Sequence, residues 1–314
     1  MVKNRDAAPS GALAAPEPRP PAQAEAPQSP RVERRSPTRP RFVKGWQKEL
    51  KSRLADAQAA SPTTAAASGR VDIWVANPDE LLKAKSCLRV LSDLDWLSLN
   101  RIQDAAMRRS AIAARVLLRI GLSHAADHKV APSEWRFDSP ALSRPVVAAD
   151  LPQINFSVSH VDELAVVALS PTLDVGIDVE CVDQNVSKEL IAEFSHFDER
   201  HAVGGLPRPQ EIREFIRLWT LKEAYSKMLG RGHGLDFKMI KFTLDPVELE
   251  VAGTPPRQIE STQFESFYIS YEHRLFHASL AIRHRAGTAG STLVQIISLA
   301  DAKGRNAAHA APLV

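Results

Sequence analysis

The sequence has few of the features that mark secreted, membrane-spanning or nucleic-acid-binding proteins. Its 314 residues include only two cysteines, Cys87 and Cys181, too few for a disulfide framework. It contains no apolar run of roughly 18 residues that would predict a membrane span, and no compact apolar segment typical of a secretory signal near residue 1. The net charge is only +3, whereas nucleic-acid-binding domains are usually strongly basic. We therefore expect a cytoplasmic protein without membrane or nucleic-acid partners.

Residues 1–68 differ in composition from the rest of the chain. They hold 10 of the 22 prolines, 12 of the 40 Lys and Arg residues and 6 of the 37 Asp and Glu residues, a local net charge of +6. A segment rich in Pro and Ala cannot bury enough apolar surface to offset the entropy lost on ordering. The composition predicts a disordered basic N-terminal extension over residues 1–68.

From residue 69 onward, short β-rich segments alternate with amphipathic helical segments, which is typical of an α+β protein. The sequence predicts strands at residues 71–75, 154–158, 164–169 and 175–182, and long helices at residues 102–120 and 210–229. Gly121 is the expected C-cap of the first long helix. We predict two similar-sized halves, residues 69–165 and residues 166–285. A C-terminal tail follows over residues 286–314, in which residues 291–299 could form one more strand.

Two carboxylates lie on one face of the strand predicted at residues 175–182. Asp178 and Glu180 are two positions apart and project from the same side, whereas Ile177 and Val179 point into a core. Neighbouring carboxylates repel unless a cation neutralises them or one stays protonated. A hard divalent ion such as Mg²⁺, which prefers oxygen ligands, is the simplest solution. The alternative is an edge strand whose outer face is acidic and solvated.

The helix predicted at residues 210–229 carries a third carboxylate and a lysine on one face. Glu223 and Lys227 are four residues apart, and Trp219 lies one turn earlier on the same face. Lys222 is rotated by about 100° and points elsewhere. The alternative is an ordinary surface pair of Glu223 and Lys227 beside a core Trp. Gly230 ends the helix.

The strand predicted at residues 154–158 is followed directly by Ser159 and His160, where a turn is expected to begin. A nucleophile and its base are seldom adjacent in sequence, and the chain has no G-x-S-x-G elbow here. His160 is therefore expected to contact a phosphate, or else to be an ordinary turn histidine. Upstream, Arg144 precedes Pro145 in a predicted turn and offers the planar fork that suits phosphate.

Taken in order, these segments resemble the Sfp-type 4′-phosphopantetheinyl transferases. The family shows a G-[K/R]-P-like turn, F-x-x-S-H, G-I-D-x-E, and W-x-x-K-E-x-x-x-K followed by a glycine. The matching segments here begin at Ser143, Phe156, Gly176 and Trp219, and the order holds over roughly residues 71–285. A further family element, F-S-x-x-E, aligns at Phe194 with two possible acidic partners.

The resemblance implies two pseudo-symmetric α+β halves, with coenzyme A bound in the cleft between them, in an enzyme that is usually monomeric. It implies transfer of the phosphopantetheine arm from coenzyme A to a serine of an apo acyl or peptidyl carrier protein, releasing 3′,5′-ADP. By position, the residues implied are Asp178, Glu180 and Glu223 for Mg²⁺, His160, Ser159 and Lys227 for coenzyme A, and Arg144 or Arg109 near its 3′-phosphate or adenine. Glu223 or a water on the metal is the candidate base, which makes Glu223 and Lys227 the expected catalytic residues.

Two other functions use the same residues. A metal-dependent hydrolase would cleave the pyrophosphate of coenzyme A without any carrier, and a non-catalytic module would bind coenzyme A or a carrier without turnover. The sequence contains all three presumed metal ligands, which disfavours the binding module. It does not indicate which carrier, from fatty-acid, polyketide or peptide synthesis, is the substrate.

Overall fold

The computed structural model describes residues 42–43, 69–138, 144–231, 234–254, 261–271, 273–284, 292–298 and 308–310. All of these residues belong to one compact unit, Pro37–Val314. Of the predicted extension 1–68, only the backbone of residues 42–43 is described. The rest of that extension lies outside the described residues, as do Ser143 and most of the predicted tail 286–314.

The described chain forms six α-helices and thirteen strands, with short 3-10 turns between some of them. The helices are α1 (Pro78–Leu82), α2 (Asp93–Leu99), α3 (Ala105–Ala125), α4 (Lys188–Phe194), α5 (Phe197–Gly204) and α6 (Arg208–Leu229). The strands are β1 (Phe42–Val43), β2 (Gly69–Ala76), β3 (Phe137–Asp138), β4 (Val146–Val147), β5 (Asn155–Val161), β6 (Leu164–Ser170), β7 (Asp174–Cys181), β8 (Ile240–Leu244), β9 (Val247–Val251), β10 (Thr262–Tyr271), β11 (Arg274–Arg283), β12 (Thr292–Ser298) and β13 (Ala308–Ala310).

The strands form two main sheets and two short ribbons. Sheet I has the order β13-β12-β2-β6-β5, and sheet II has the order β1-β10-β11-β7. The ribbons are β3-β4 and β8-β9. Strand β5 is therefore an edge of sheet I and β7 is an edge of sheet II. These two edge strands pack against each other, and the candidate site lies where they meet.

The two sheets share one apolar core, and each carries a long helix on its other face. Val71 and Ile73 of β2 pack in the same cluster as Ile177 and Val179 of β7, all nearly inaccessible to solvent. Helix α3 covers sheet I, and α6 covers β7 and β11 of sheet II. The inward direction predicted for Ile177 and Val179 is confirmed, and so is the α+β class.

The predicted C-cap at Gly121 is wrong, because α3 continues to Ala125. A Cβ atom at Gly121 would lie 2.7 Å from Cδ1 of Leu169 and 3.3 Å from the ring of Trp74. The glycine lets the backbone of α3 lie close to these side chains of sheet I.

The two sheets and the two predicted halves divide the chain differently. Strand β6 pairs with β2 and β5, so sheet I includes residues up to Ser170, beyond the predicted end at residue 165. Strand β12, within the predicted tail, pairs in parallel with β2 and also belongs to sheet I. Sequence order did not reveal this pairing, because β2 and β12 are more than 200 residues apart.

Among the described residues, no helix combines the length and the apolar character needed to cross a membrane.

Candidate active site

Gly176 determines how closely α6 lies on β7. A Cβ atom at this position would fall 2.0 Å from the carbonyl oxygen of Ala224 and 2.4 Å from the backbone nitrogen of Met228. Only glycine permits this approach. Asp178 and Glu180 share the face of β7 with Gly176, because alternate residues of a strand point the same way. Both carboxylates are thereby directed toward α6.

Asp178 is the most buried member of the candidate site, with 4% of its surface exposed. Its Oδ1 accepts hydrogen bonds from the hydroxyl of Ser159 at 2.8 Å and from Nζ of Lys227 at 2.5 Å. Its Oδ2 is buried and has no hydrogen-bond partner among the described residues. Because a buried carboxylate oxygen without a donor is costly, this atom indicates a position where a cation or a ligand is expected.

Glu180 lies next to Asp178 and is mostly buried. Burial, together with the neighbouring Asp178 carboxylate, raises the pKa of Glu180 to about 7. Hydrogen bonds from Gln184, at 3.2 Å, and from the Trp219 side chain favour the charged form. The charged forms of the two carboxylates therefore repel each other, as the sequence predicted.

Helix α6 contributes three positions to this face. Trp219 contacts Glu180, and Lys227 contacts Asp178. Glu223 lies midway between them, one turn from each, and is partly buried. Helix α6 ends at Gly230, whose φ of 70° is in the left-handed region that favours glycine.

Ser159 and His160 come from β5, on the other side of the junction between the sheets. The hydroxyl of Ser159 contacts Asp178, whereas Nδ1 of His160 lies 2.9 Å from the hydroxyl of Ser110 on α3. Burial lowers the pKa of His160, and the nearby Lys227 ammonium lowers it further. His160 is therefore neutral at pH 7. Sequence reasoning missed Ser110, since nothing in the pattern of α3 distinguishes it.

The two candidate arginines lie apart from this group. Arg144 donates to the carbonyl of Val175 at 3.2 Å, and its aliphatic stem runs beside Gly230 at the end of α6. Arg109, on α3, pairs instead with Asp79 of α1 at 3.3 Å. The described residues thus bring together Ser159, Asp178, Glu180 and Lys227, with Arg144 at one end of α6 and Arg109 facing α1.

Lys222 has a different environment from Lys227. Its Nζ donates to Glu199 Oε2 at 2.6 Å and to the carbonyls of Phe194 and Phe237. Burial lowers the pKa of Lys222, and Glu199 opposes that shift. The sequence predicted that Lys222 points away from the Glu223 face, which is confirmed, but it did not identify this buried pair.

The donor set fits a divalent cation of the magnesium type. Asp178 offers a buried oxygen without a donor, and Glu180 lies beside it with a raised pKa. Among the described residues, no three His, Cys, Asp or Glu side chains are gathered closely enough to hold a metal by themselves. Mg²⁺ is usually held by one or two carboxylates together with substrate phosphates and waters, so two carboxylates are compatible with this ion, and Glu223 as a third ligand stays a prediction.

Residues 174–281, which include β7 and α6, match the family model of the 4′-phosphopantetheinyl transferase superfamily. The chain is 29% identical over 192 residues to a phosphopantetheinyl transferase of Thraustochytrium sp., a match covering 57% of this chain and 65% of that protein. It is 27% identical to the 4′-phosphopantetheinyl transferase HetI of Nostoc sp., covering 64% of this chain and 82% of that protein.

A third relative is the L-aminoadipate-semialdehyde dehydrogenase-phosphopantetheinyl transferase of Pongo abelii, 28% identical over 155 residues. That match covers 46% of this chain and 49% of the relative. The chain thus spans between about half and two thirds of the length of this protein and of the Thraustochytrium one. The matched segment contains the Asp178 and Glu180 pair and the Trp219 to Lys227 face, and over this segment the chain is similar to the 4′-phosphopantetheinyl transferase superfamily.

Proposed function

We propose that this protein transfers the 4′-phosphopantetheine arm of coenzyme A to a serine hydroxyl of an apo acyl or peptidyl carrier protein, with Mg²⁺ as cofactor. The observation that supports this proposal most strongly is the buried pair of Asp178 and Glu180. One oxygen of the pair has no donor among the described residues, and the pKa of Glu180 is raised to about 7. Such a pair is suited to a divalent cation and a phosphate ester.

In this proposal Asp178, Glu180 and Glu223 hold Mg²⁺. When bound, the ion would neutralise negative charge on the pyrophosphate and on the departing phosphate. The protein's own contribution is to hold the carboxylates on one rigid strand and to exclude water from them. Gly176 supports this role, because it lets α6 cover the strand closely.

Lys227 would supply a mobile cation to the pyrophosphate. Its Nζ pairs with Asp178 at 2.5 Å, and 27% of its side chain is exposed, so the ammonium can turn toward a bound phosphate. His160, neutral because of its lowered pKa, would donate a hydrogen bond to a phosphate oxygen. The remaining proposed contacts to coenzyme A are Ser159 beside Asp178, Arg144 beside Gly230, and Arg109 further away on α3.

The bond changes balance without a covalent enzyme intermediate. The carrier serine oxygen forms a bond to the phosphorus that bears the pantetheine arm, and the bond from that phosphorus to the bridging pyrophosphate oxygen breaks. The electron pair leaves with 3′,5′-ADP. The serine proton passes to a base, for which Glu223 is the candidate among the residues of this face.

The proposal also covers the organisation and location of the chain. We propose a basic extension over residues 1–68, transferase halves over residues 69–165 and 166–285, and a tail over residues 286–314. The protein would act in the cytoplasm as a monomer, where coenzyme A and apo carriers are available.

Intact-protein mass spectrometry tests this function. An apo acyl carrier protein and an apo peptidyl carrier protein are each incubated with this protein, coenzyme A and Mg²⁺, with EDTA in a parallel sample. We expect a mass gain of one phosphopantetheine, equimolar 3′,5′-ADP, and no gain with EDTA. If coenzyme A is consumed without a mass gain, the protein is a hydrolase. If coenzyme A binds but remains intact with every carrier, the protein is a binding module.

A further inference from the structure

Two serines of β5 take the place of backbone pairing between the sheets. The backbone N–H of Ile177 donates to the hydroxyl of Ser157 at 3.0 Å, and that of Val179 donates to the hydroxyl of Ser159 at 3.4 Å. Both serines are buried, with 6% and 8% of their surface exposed. The edge of sheet II is thereby held to the edge of sheet I by side chains, at alternate positions of β7.

Only one of these serines also contacts a carboxylate. The proton of the Ser159 hydroxyl is directed at Asp178 Oδ1, 2.8 Å away. The same hydroxyl accepts the N–H of Val179, so its donor and one acceptor position are both used by β7. This geometry fixes the rotation of the Asp178 carboxylate, because Oδ1 is held between Ser159 and Lys227 while Oδ2 is left without a donor among the described residues.

We propose that Ser159 is a positioning residue for the metal site, acting through Asp178. It holds Oδ1 so that Oδ2 is presented to the cation in a fixed direction. This inference rests on the proposed function, and it gives Ser159 a role beyond the direct contact with coenzyme A that the family resemblance implies. Hydrogen bonds that orient a ligating carboxylate contribute substantially to metal affinity.

Lys227 cannot perform the same task once a substrate is present. Its ammonium is needed at the pyrophosphate in the proposed reaction, and it would leave Asp178 when it turns there. The Ser159 hydroxyl is neutral and buried, and its position is set by the backbone of β5. It therefore stays on Oδ1 throughout and keeps the carboxylate aligned after Lys227 has moved.

Ser157 provides a matched control, because it makes the same bond between the sheets without touching a carboxylate. The test is Mn²⁺ binding to the full-length protein, with and without coenzyme A. Electron paramagnetic resonance of the free ion measures the binding. We expect Ser159→Ala to weaken Mn²⁺ binding about tenfold. Ser159→Thr, which keeps the hydroxyl, should restore the affinity, and Ser157→Ala should bind as the wild type does.

Thermal unfolding monitored by circular dichroism verifies that each variant is folded. If Ser159→Ala does not fold, Ser159→Cys replaces it, since a thiol is similar in size but only a weak donor, and the same loss of affinity is expected.

Three results would overturn the inference. Wild-type Mn²⁺ affinity in Ser159→Ala would show that the carboxylate needs no positioning. An equal loss in Ser157→Ala would assign the effect to the contact between the sheets. Unchanged Mn²⁺ affinity with weaker coenzyme A binding in EDTA would assign Ser159 to direct ligand contact. In each of these cases the wild type still binds Mn²⁺ and transfers the arm; if it does neither, the proposed function itself fails.

Discussion

Helix α6 carries two lysines, five residues apart, that pair with carboxylates in opposite ways. Lys222 is 1% exposed, and its ammonium donates to one carboxylate and two backbone carbonyls. Lys227 pairs with Asp178, but its side chain is 27% exposed and the second oxygen of Asp178 has no donor among the described residues. We call Lys222 and Glu199 the closed pair, and Lys227 and Asp178 the open pair.

The difference separates an ion pair that supports the fold from one that is available for chemistry. An ammonium group has three donors, and the closed pair uses all three within the protein. Glu199, the partner of Lys222, also accepts hydrogen bonds from the backbone N–H groups of His196 and Phe242. Both charges are therefore hydrogen-bonded within the protein. The open pair leaves hydrogen-bonding capacity beside a second carboxylate, Glu180, which is the condition for binding a further charged group.

Breaking the closed pair should have the largest effect. Lys222→Met leaves the Glu199 carboxylate buried without its cation, and we expect it to lower the free energy of unfolding by about 3–5 kcal/mol. Chemical denaturation at pH 7 measures this loss. A loss below about 1 kcal/mol would contradict the structural role of the closed pair.

Breaking the open pair on the carboxylate side should remove activity and preserve the fold. We expect Asp178→Asn to slow arm transfer at least about a hundredfold, because the proposed cation would lose its most buried ligand. The melting temperature should stay the same or rise, since Glu180 no longer faces a second charge. The rate comes from the mass gain of the carrier over time. Wild-type transfer by this variant would exclude Asp178 from the site.

His277 sharpens the comparison. It lies on β11, directly opposite Glu180 of β7, yet its role is to support the fold. Burial lowers the pKa of His277 from 6.5 to about 3, and Arg217 adds to the shift. Between these pH values the unfolded chain binds more protons than the folded one. The contribution of His277 to the free energy of unfolding is therefore complete above pH 6.5 and is lost as the pH falls toward 3. The loss is at most about 1.4 kcal/mol per pH unit.

We expect His277→Gln to remove this component, while an amide can still bond Thr220, whose hydroxyl lies 2.8 Å from the imidazole. The free energy of unfolding, measured by denaturation between about pH 6 and pH 4, should then fall less steeply than in the wild type. Equal slopes for the two proteins would show that His277 is not held neutral in the folded state.

Breaking the open pair on the lysine side should affect stability least. Lys227→Met removes a partly exposed cation, and the Ser159 hydroxyl still donates to the same Asp178 oxygen. We expect a change of about 1 kcal/mol or less in the free energy of unfolding. Denaturation under the conditions used for Lys222→Met gives the comparison, and a loss as large as in that variant would show that the open pair also supports the fold.

The sequence singled out Asp178 and Lys227 as site residues without predicting their ion pair, and it did not identify the closed pair. A period of two residues places Asp178 and Glu180 on one face of a strand, and a period of four places Glu223 and Lys227 on one face of a helix. Both periods are visible in a single sequence. The closed pair joins residues that are 23 positions apart on different helices. The sequence left two acidic residues open as the partner of the element at Phe194, and only packing of α5 against α6 shows that Glu199 is buried with Lys222.

The same limit applies to the fold. Strands and helices with a strong local pattern were predicted, including β7 and α6. The edge-to-edge contact of β5 and β7 depends on serine hydroxyls that local pattern presents as ordinary strand residues. Strand β12 pairs with β2, and Gly121 lies inside α3, because of the residues that pack against each of them. The periodicity of a local sequence does not show such contacts.

The most direct test of the comparison is the rate of arm transfer by Lys227→Met and by Lys222→Met, each divided by its folded fraction. Intact-protein mass spectrometry gives the carrier mass gain over time, and circular dichroism gives the folded fraction. We expect a slower rate per folded molecule for Lys227→Met and an unchanged rate for Lys222→Met. A wild-type rate for Lys227→Met, or an equal loss in both variants, would contradict the assignment of the open pair to the reaction.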